Sequence, residues 1–508
     1  MIKICGFHLK HEIIFIKKFD HFLNNTVYKD LSIILEIFKY LEYYSLLIYN
    51  LKKVVIFMNA VDRKIIEAIE NRKSSNHQYW DFKSATKKSG IHTLMRYPAT
   101  MVPEMQQELI KILVESTGAK NILDPFMGSG TVLIEGLRNN LTVYGNDINP
   151  LAYYLCKSKL KYIPIKTLKR ELENLETRIE NIDISNSEYY FEKIDKWFKP
   201  DIISSLSKLR EEIMKINNQE VKEFFLVTLA DIVTQTKNSQ SSTFKLHIKP
   251  EDVIENYQVD VIELYFDKLT KNIMNYESFI HEIREAKICN SSSQNKKVKL
   301  SCGDSKSLSQ KLKINDGEID LIVTSPPYGD NHTTVTYGQF SILPLHWIKD
   351  GIKKSTLDMS LLNNFNSIDT ASLGGKNAKV EIIETSGILE DSAHLNNFYN
   401  LLLSLGQIEK ARKVASFIID FKLTLNELSK FLKRDGYMVL VVGNRKVHNI
   451  EVPFDNIIRE LLENEFNFIH KFDRKIINKK IPTKISRVNA NPVESMNNEI
   501  ILIFRKNV

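Results

Sequence analysis

Apolar and polar positions alternate with different periods along the chain, and the changes of period divide it. Strand-length apolar runs lie at Asn121–Phe126 (NILDPF), Thr142–Asp147 (TVYGND), Lys297–Ser305 (KVKLSCGDS) and Ile319–Asp330 (IDLIVTSPPYGD). Each is bounded by turn-forming residues, as strands are. Further runs follow at Tyr437–Asn444 (YMVLVVGN), IHKFDRKI and EIILIFRK. Helical spacing fills the gaps: TVLIEGLRNN after the first run, then Ser416–Leu432 and Phe454–Asn464. A strand, a glycine-rich loop, a helix and a second strand open a doubly wound α/β sheet.

Two stretches break this rhythm. Residues 165–290 read as mostly helical, with charged faces such as KRELENLETRIENI and LSKLREEIMKI, around a polar break at Gln235–Asp252. Residues 350–397 are polar and irregular. The first 57 residues, rich in Ile, Leu, Lys, Phe and Tyr, carry fuzzy helical periodicity and no motif. They are either a helical appendage or an upstream extension of a chain that starts at Met58. The chain thus divides into 1–57, 58–164, 165–290 and 291–508, the last containing the polar insert. There is no internal repeat.

Composition narrows the class only slightly. Among 508 residues, 43% are hydrophobic and 26% charged, which is ordinary for a globular protein. The net charge of +8 is compatible with a polyanionic partner. Cys5, Cys156, Cys289 and Cys302 form no C-x-x-C pair, and the histidines have no H-x-x-x-H spacing, so no metal site is expected. Charges interrupt the most apolar stretch, Leu31–Phe57, so neither a membrane span nor a secretory signal is read there. A cytoplasmic protein is expected.

Chemistry concentrates at two strand ends. In Asp124-Pro125-Phe126-Met127-Gly128-Ser129-Gly130-Thr131, a Gly-x-Gly between strand and helix lets backbone approach a ligand closely. Asp147 ends the next strand 17 residues past Gly130, a spacing suited to a carboxylate that binds ribose hydroxyls. Neither the full G-x-G-x-x-G fingerprint nor a G-x-x-x-x-G-K-[ST] loop is present. The second site is Thr324-Ser325-Pro326-Pro327-Tyr328. Two prolines cannot donate to a ladder and stiffen an extended corner, and Tyr328 offers a flat face to a base. Taken singly, the first motif also reads as a tight turn and the second as a strand terminus.

Together, DPFMGSGT and TSPPY resemble the S-adenosylmethionine-dependent DNA amino-methyltransferases, which methylate N4 of cytosine or N6 of adenine. Tyr97–Pro103 (YPATMVP), GNDINPLA and CGDS are similar to further motifs of that family. The resemblance runs from about Trp80 to the C-terminus. It implies a Rossmann-like, mostly parallel seven-stranded sheet with an antiparallel last strand, plus the mainly helical insert. It implies S-adenosylmethionine at Tyr97, Pro98, Thr100, Asp124, Phe126, Gly128, Gly130, Thr131, Asp147 and Asp304, and a flipped base at Ser325, Pro326, Pro327 and Tyr328. Ser before Pro-Pro-Tyr points to cytosine N4, with adenine N6 as the alternative. A guanine-N2 RNA methylase and a non-catalytic, nucleic-acid-binding relative also stay open. No cysteine follows a proline, so the cysteine-dependent C5 route is not expected.

The resemblance implies duplex DNA as partner, together with a cognate restriction endonuclease acting on the same site. Residues 165–290 are the expected target-recognition region, with Lys237, Ser241, Lys245 and Lys249 of its polar centre as DNA contacts. A basic run, Arg474–Arg487, adds Arg474, Lys475, Lys479, Lys480, Lys484 and Arg487 as phosphate contacts. Both segments also read as solvated loops. Glu135 and Arg138 are expected as surface or capping residues, and Trp80, Trp197 and Trp347 as core or interface anchors.

Overall fold

The computed structural model describes residues 59–83, 89–181, 189–240, 244–285, 291–353, 358–476, 484–488, 491–494 and 498–507. The chain divides into compact units Met1–Arg63 and Lys64–Val508, and the sheet lies wholly in the second. The expectation for residues 1–57 falls outside the described residues.

Seven strands form one sheet: β1 (Asn121–Asp124), β2 (Thr142–Asp147), β3 (Val298–Cys302), β4 (Ile319–Thr324), β5 (Leu432–Val442), β6 (Phe466–Lys475) and β7 (Asn498–Lys506). Their order is β3-β2-β1-β4-β5-β7-β6. β3, β2, β1, β4 and β5 pair in parallel, while β7 is antiparallel to both β5 and β6. This is the expected Rossmann-like sheet with its reversed last strand. The order turns back on itself between β1 and β4, the place where such sheets bind ligands beyond the carboxyl ends of their strands.

The main helices are α1 (Pro103–Thr117), α2 (Thr131–Arg138), α3 (Pro150–Leu160), α4 (Ile165–Glu180), α5 (Pro200–Met214), α6 (Gln219–Thr236), α7 (Val261–Glu285), α8 (Tyr337–Ile348), α9 (Ala393–Ser404), α10 (Ile408–Phe431) and α11 (Phe454–Leu462). Strand alternation directs them to the two faces. Leu123 and Tyr144 point into a core shared with Phe421, Leu425 and Phe454 of α10 and α11. Ile122 and Val143, one residue earlier in each strand, point the opposite way, toward α2. There Gly136 sits so close that an added Cβ would lie 2.8 Å from Ile122 and 2.9 Å from Val143.

The helical insert is not an appended module. It occupies the β2–β3 connection, and α6 is buried nearly all round. It grips α8, the helix that follows the Ser-Pro-Pro-Tyr corner. Phe198 meets Trp347 edge-on at 5.7 Å, Arg210 Nε donates to the Trp347 carbonyl at 3.0 Å, and the Tyr189 hydroxyl donates to the His346 carbonyl at 2.8 Å. Trp80, Trp197 and Trp347 are all buried, as expected. The region read as irregular, 350–397, holds short helices at Ser367–Ala371 and Val380–Thr385 and the start of α9. Val380–Thr385 exposes all of its residues but Ile383, Ser367–Ala371 buries Ile368 and Asp369, and both are too short for a period to register.

Candidate active site

The two motif loops leave neighbouring strands. Ile122 pairs with Leu321 and Leu123 with Ile322, so the two strands end together, with Thr324 one residue past the position opposite Asp124. A hydrogen bond seals the junction: Thr324 Oγ1 donates to Asp124 Oδ1 at 2.6 Å. Phe126 and Tyr328, one from each loop, pack against the same core. Residues 200 positions apart therefore share one wall.

The glycine loop is held from several sides. Its φ is +45° at Gly128 and +81° at Gly130, a left-handed backbone that glycine adopts without steric cost. An added Cβ at Gly130 would lie 2.8 Å from Cys156 Sγ. The Gly128 amide donates to Asp147 Oδ2 at 2.9 Å, and the Asn149 amide to Asp147 Oδ1 at 2.9 Å. Each carboxylate oxygen keeps one lone pair for a further donor. Buried Lys159 donates to the Ser129 carbonyl at 2.8 Å, and Thr131, the first residue of α2, is also buried.

Tyr97 covers this loop, its ring edge 3.5 Å from where a Gly128 Cβ would stand. It stacks on Tyr337 at 5.9 Å and receives a hydrogen bond from Asn149 Nδ2 at 3.0 Å. Asn149 Nδ2 also donates to Ser341 Oγ at 2.8 Å, and its Oδ1 caps α3 through the Leu151 amide. Asn149 and Tyr337 were missed in the sequence. For Asn149 a signal existed, an Asn before Pro at a helix start; Tyr337 has none. Pro98 is buried beside Tyr97 and Thr100 half-buried, with Ala99 between them at φ +43°.

Burial shapes the acids. Asp124 is fully buried, and desolvation raises its pKa to about 7 despite the Thr324 and Phe126 bonds, which lower it. Its Oδ2 has no hydrogen-bond partner among the described residues. Desolvation likewise lifts Asp147 to about 6, against the bonds from Asn149 and Gly128. Asp304 follows β3 at the same sheet edge and caps the 3-10 turn Ser305–Gln310 through the Lys306 amide.

At the proline corner, Ser325 Oγ and the Tyr328 hydroxyl are 3.1 Å apart. Pro326 is buried; Ser325, Pro327 and Tyr328 are half-buried. Gly329 lies against Arg445, which bonds Thr333 Oγ1 at 2.8 Å.

The comparisons with known proteins agree with this geometry. The family described as DNA methylase, of N6 and N4 type, matches residues 1–158. D12 class N6 adenine-specific DNA methyltransferase matches residues 104–366. The type II methyltransferase M.MvaI of Kocuria varians is 32% identical over 464 residues, covering 88% of this chain and 98% of that protein. This chain belongs to the DNA amino-methyltransferases. The type II methyltransferase M.BsoBI of Geobacillus stearothermophilus is 24% identical over 300 residues, covering 54% of this chain and 57% of that protein.

Methyltransferases of this family use S-adenosylmethionine, and the residues fit it. The partnerless Asp124 Oδ2 calls for a donor or a cation, and a methionine ammonium would fit it. The spare lone pairs of Asp147 suit ribose hydroxyls.

The proposed DNA contacts scatter. Two change character. Lys237 is only 7% exposed, its ammonium 5.7 Å from the Phe340 ring centroid, and burial, with Arg96 and Lys249 nearby, lowers its pKa to about 8. Arg474 is 5% exposed and donates to Glu499 at 2.7 Å. Neither is a surface phosphate grip, because each is desolvated by its packing. Lys245 and Lys475 are exposed, and Lys249 half-buried, donating to the Lys237 carbonyl at 3.1 Å. Lys484 and Arg487 belong to a strand, Lys484–Val488, paired with Asn491–Glu494. Ser241, Lys479 and Lys480 lie outside the described residues.

The polar break packs on α8, the helix after the proline corner. The Leu246 amide donates to Gln339 Oε1 at 3.0 Å, and Phe244 meets Phe340 edge-on at 6.0 Å, one helical turn from Tyr337. Glu135, expected at the surface, is fully buried, with His92 Nε2 at 3.0 Å and Arg138 Nη1 at 2.8 Å. The helix face it occupies turns inward, which its polar character concealed. Among the described residues no helix is long and apolar enough to cross a membrane.

Proposed function

We propose that this DNA methyltransferase modifies the exocyclic N4 of cytosine in duplex DNA, as the modification partner of a restriction endonuclease with the same target site. An exocyclic amine conjugated with its ring is a weak nucleophile. Acceptors at Ser325 Oγ and the Pro326 carbonyl would take its N–H bonds and turn its lone pair toward the methyl donor. Tyr328 would hold the flipped base by its ring. The cofactor supplies an electrophilic methyl group when bound at Asp124, Gly128, Gly130, Asp147 and Asp304. The chain's own part is positioning and electrostatics, with no covalent enzyme intermediate.

The observation that carries this reading is the Thr324–Asp124 bond, which joins the end of the cofactor strand to the start of the proline corner. The choice of cytosine rests on Ser325, where adenine enzymes resembling this one carry Asp or Asn. Adenine N6 is the second reading, favoured by the D12 class match over residues 104–366. Mass spectrometry of nucleosides from DNA methylated by the purified enzyme separates the two: N4-methylcytosine is expected, and N6-methyladenine alone would reverse the assignment. Ser325→Ala should lower kcat on the order of a hundredfold with cofactor affinity retained. Full turnover in that variant would remove Ser325 from the chemistry. Lys245, Lys249, Lys475 and the Lys484–Val488 strand pair are the proposed DNA-facing elements.

A further inference from the structure

The reading of Ser325 leaves open which way its own proton points. A hydroxyl bonded to another hydroxyl can donate or accept, and only an acceptor helps an incoming N–H. The direction is set by two residues far away in the chain, on β6 and β7.

Arg474 Nη1 donates to Glu499 Oε2 at 2.7 Å, across the antiparallel β6–β7 ladder where Glu499 pairs with Arg474. A guanidinium has only donors, and the carboxylate it pairs with has only acceptors. Arg474 is withdrawn from solvent, its side chain 4% exposed against 18% for Glu499, so the pair is a fixed feature of the interior. The Tyr328 hydroxyl lies 3.5 Å from Glu499 Oε1, a long contact in which only the tyrosine can donate. With its proton on Glu499, the Tyr328 oxygen is an acceptor toward Ser325 Oγ at 3.1 Å. Ser325 must then give its proton to Tyr328 and turn a lone pair outward.

We infer that the buried Arg474–Glu499 pair polarises a hydrogen-bond chain through Tyr328 to Ser325, making Ser325 an acceptor for the target amine and giving the amine's surplus proton a route to Glu499. The inference rests on the proposed role of Ser325. Its balance is simple. As the amine nitrogen bonds the transferred carbon, the carbon–sulfur bond breaks with its electron pair on sulfur. The N–H bond breaks with its pair on nitrogen, and its proton moves to Ser325. The Ser325 proton moves to Tyr328 and the Tyr328 proton to Glu499, which ends neutral. Glu499 touches no reacting atom and is a positioning residue.

Glu499→Gln inverts the chain at constant shape. With Arg474 holding the amide oxygen, the amide NH2 faces Tyr328, whose proton then turns to Ser325, whose proton turns at the amine. Tyr328→Phe keeps the stacking ring and the Arg474–Glu499 pair but cuts the chain. The test measures transfer of labelled methyl groups to unmethylated genomic DNA by Ser325→Ala, Tyr328→Phe, Glu499→Gln, Glu499→Asp and the Tyr328→Phe/Glu499→Gln double variant. Cofactor affinity is followed by calorimetry and DNA affinity by fluorescence anisotropy. Expected are falls in kcat on the order of tenfold to a hundredfold in Tyr328→Phe and Glu499→Gln. KM and both affinities should hold, the double variant should be no worse than the poorer single, and Glu499→Asp should recover part of the loss. Near-normal kcat in Tyr328→Phe with an inactive Ser325→Ala, or losses that multiply in the double variant, would overturn the chain and leave the Ser325 reading standing. Full activity in Ser325→Ala would remove both. Should Glu499→Gln fail to fold, Tyr328→Phe alone decides.

Discussion

The two motif loops at the β1 and β4 ends and the described residues of the polar break, Lys237 and Lys245 among them, behave oppositely. At the strand ends, parallel pairing of β1 with β4 carries both motif loops to the same end of the sheet, and Thr324, one residue past the position opposite Asp124, closes the junction with a hydrogen bond. In the polar loop, position depends on what the neighbouring helices cover, and Lys237 disappears under Phe340 while Lys245 stays in solvent. Backbone hydrogen bonding thus makes motif residues reliable, and side-chain burial makes basic residues unreliable.

The sharpest way to break this contrast is at Asp124. Asp124→Asn keeps the shape but removes the charge of the partnerless oxygen. It should cost about 1.5–3 kcal/mol of cofactor affinity, read by calorimetry. Unchanged affinity would mean that the oxygen faces no ligand. The same group sets a pH dependence. Its folded pKa, about 7, stands above the ordinary carboxylate value because of burial, so the folded state binds a proton more readily than the unfolded chain. The penalty for holding the charge is fully present above that value and is relieved as pH falls through it. Cofactor-free protein should therefore gain stability from Asp124 on going from about pH 8 to about pH 5.5, while cofactor affinity falls as the carboxylate is neutralised. Asp124→Asn should flatten both trends, and Asp147, at about 6, adds a second, more acidic component.

A smaller effect is expected at Gly130. Gly130→Ala sets a Cβ in a left-handed backbone against Cys156 and should cost roughly 1–3 kcal/mol in thermal or denaturant unfolding, with weaker cofactor binding. Adding Cys156→Ala should restore the part due to overlap but not the part due to φ. If it restores nothing, the close approach is not the cause.

The smallest test concerns the basic residues. Lys475→Ala should reduce the slope of log affinity against log salt for DNA by about one contact's worth, while Lys237→Met should leave the slope unchanged. A slope change in Lys237→Met would return that lysine to the DNA surface.

Much of the sheet was legible because strands announce themselves locally. TVYGND became β2 at its expected bounds, and NILDPF became β1 once Pro125 ended the ladder. Boundaries slipped where a neighbour extended an element, as in β5, which starts at Leu432 because Leu432 pairs with Ile319. The motif residues were legible because Gly-x-Gly and Pro-Pro constrain the backbone whatever surrounds them. Tyr337, Glu499 and the burial of Glu135 and Arg474 were not, because each depends on a partner from a distant segment.

Local sequence by itself determined the strand ends, the glycine loop's left-handed turn and the stiff proline corner, since backbone sterics and missing donors act within a few residues. Only the tertiary structure decided that Thr324 bonds Asp124, that the helical insert clasps the helix after the corner, and that Arg474 faces Glu499 rather than a phosphate. The physical reason is desolvation: whether a charge is a ligand, a strut or a surface group depends on which other segment removes its water, and that segment lies up to 200 residues away.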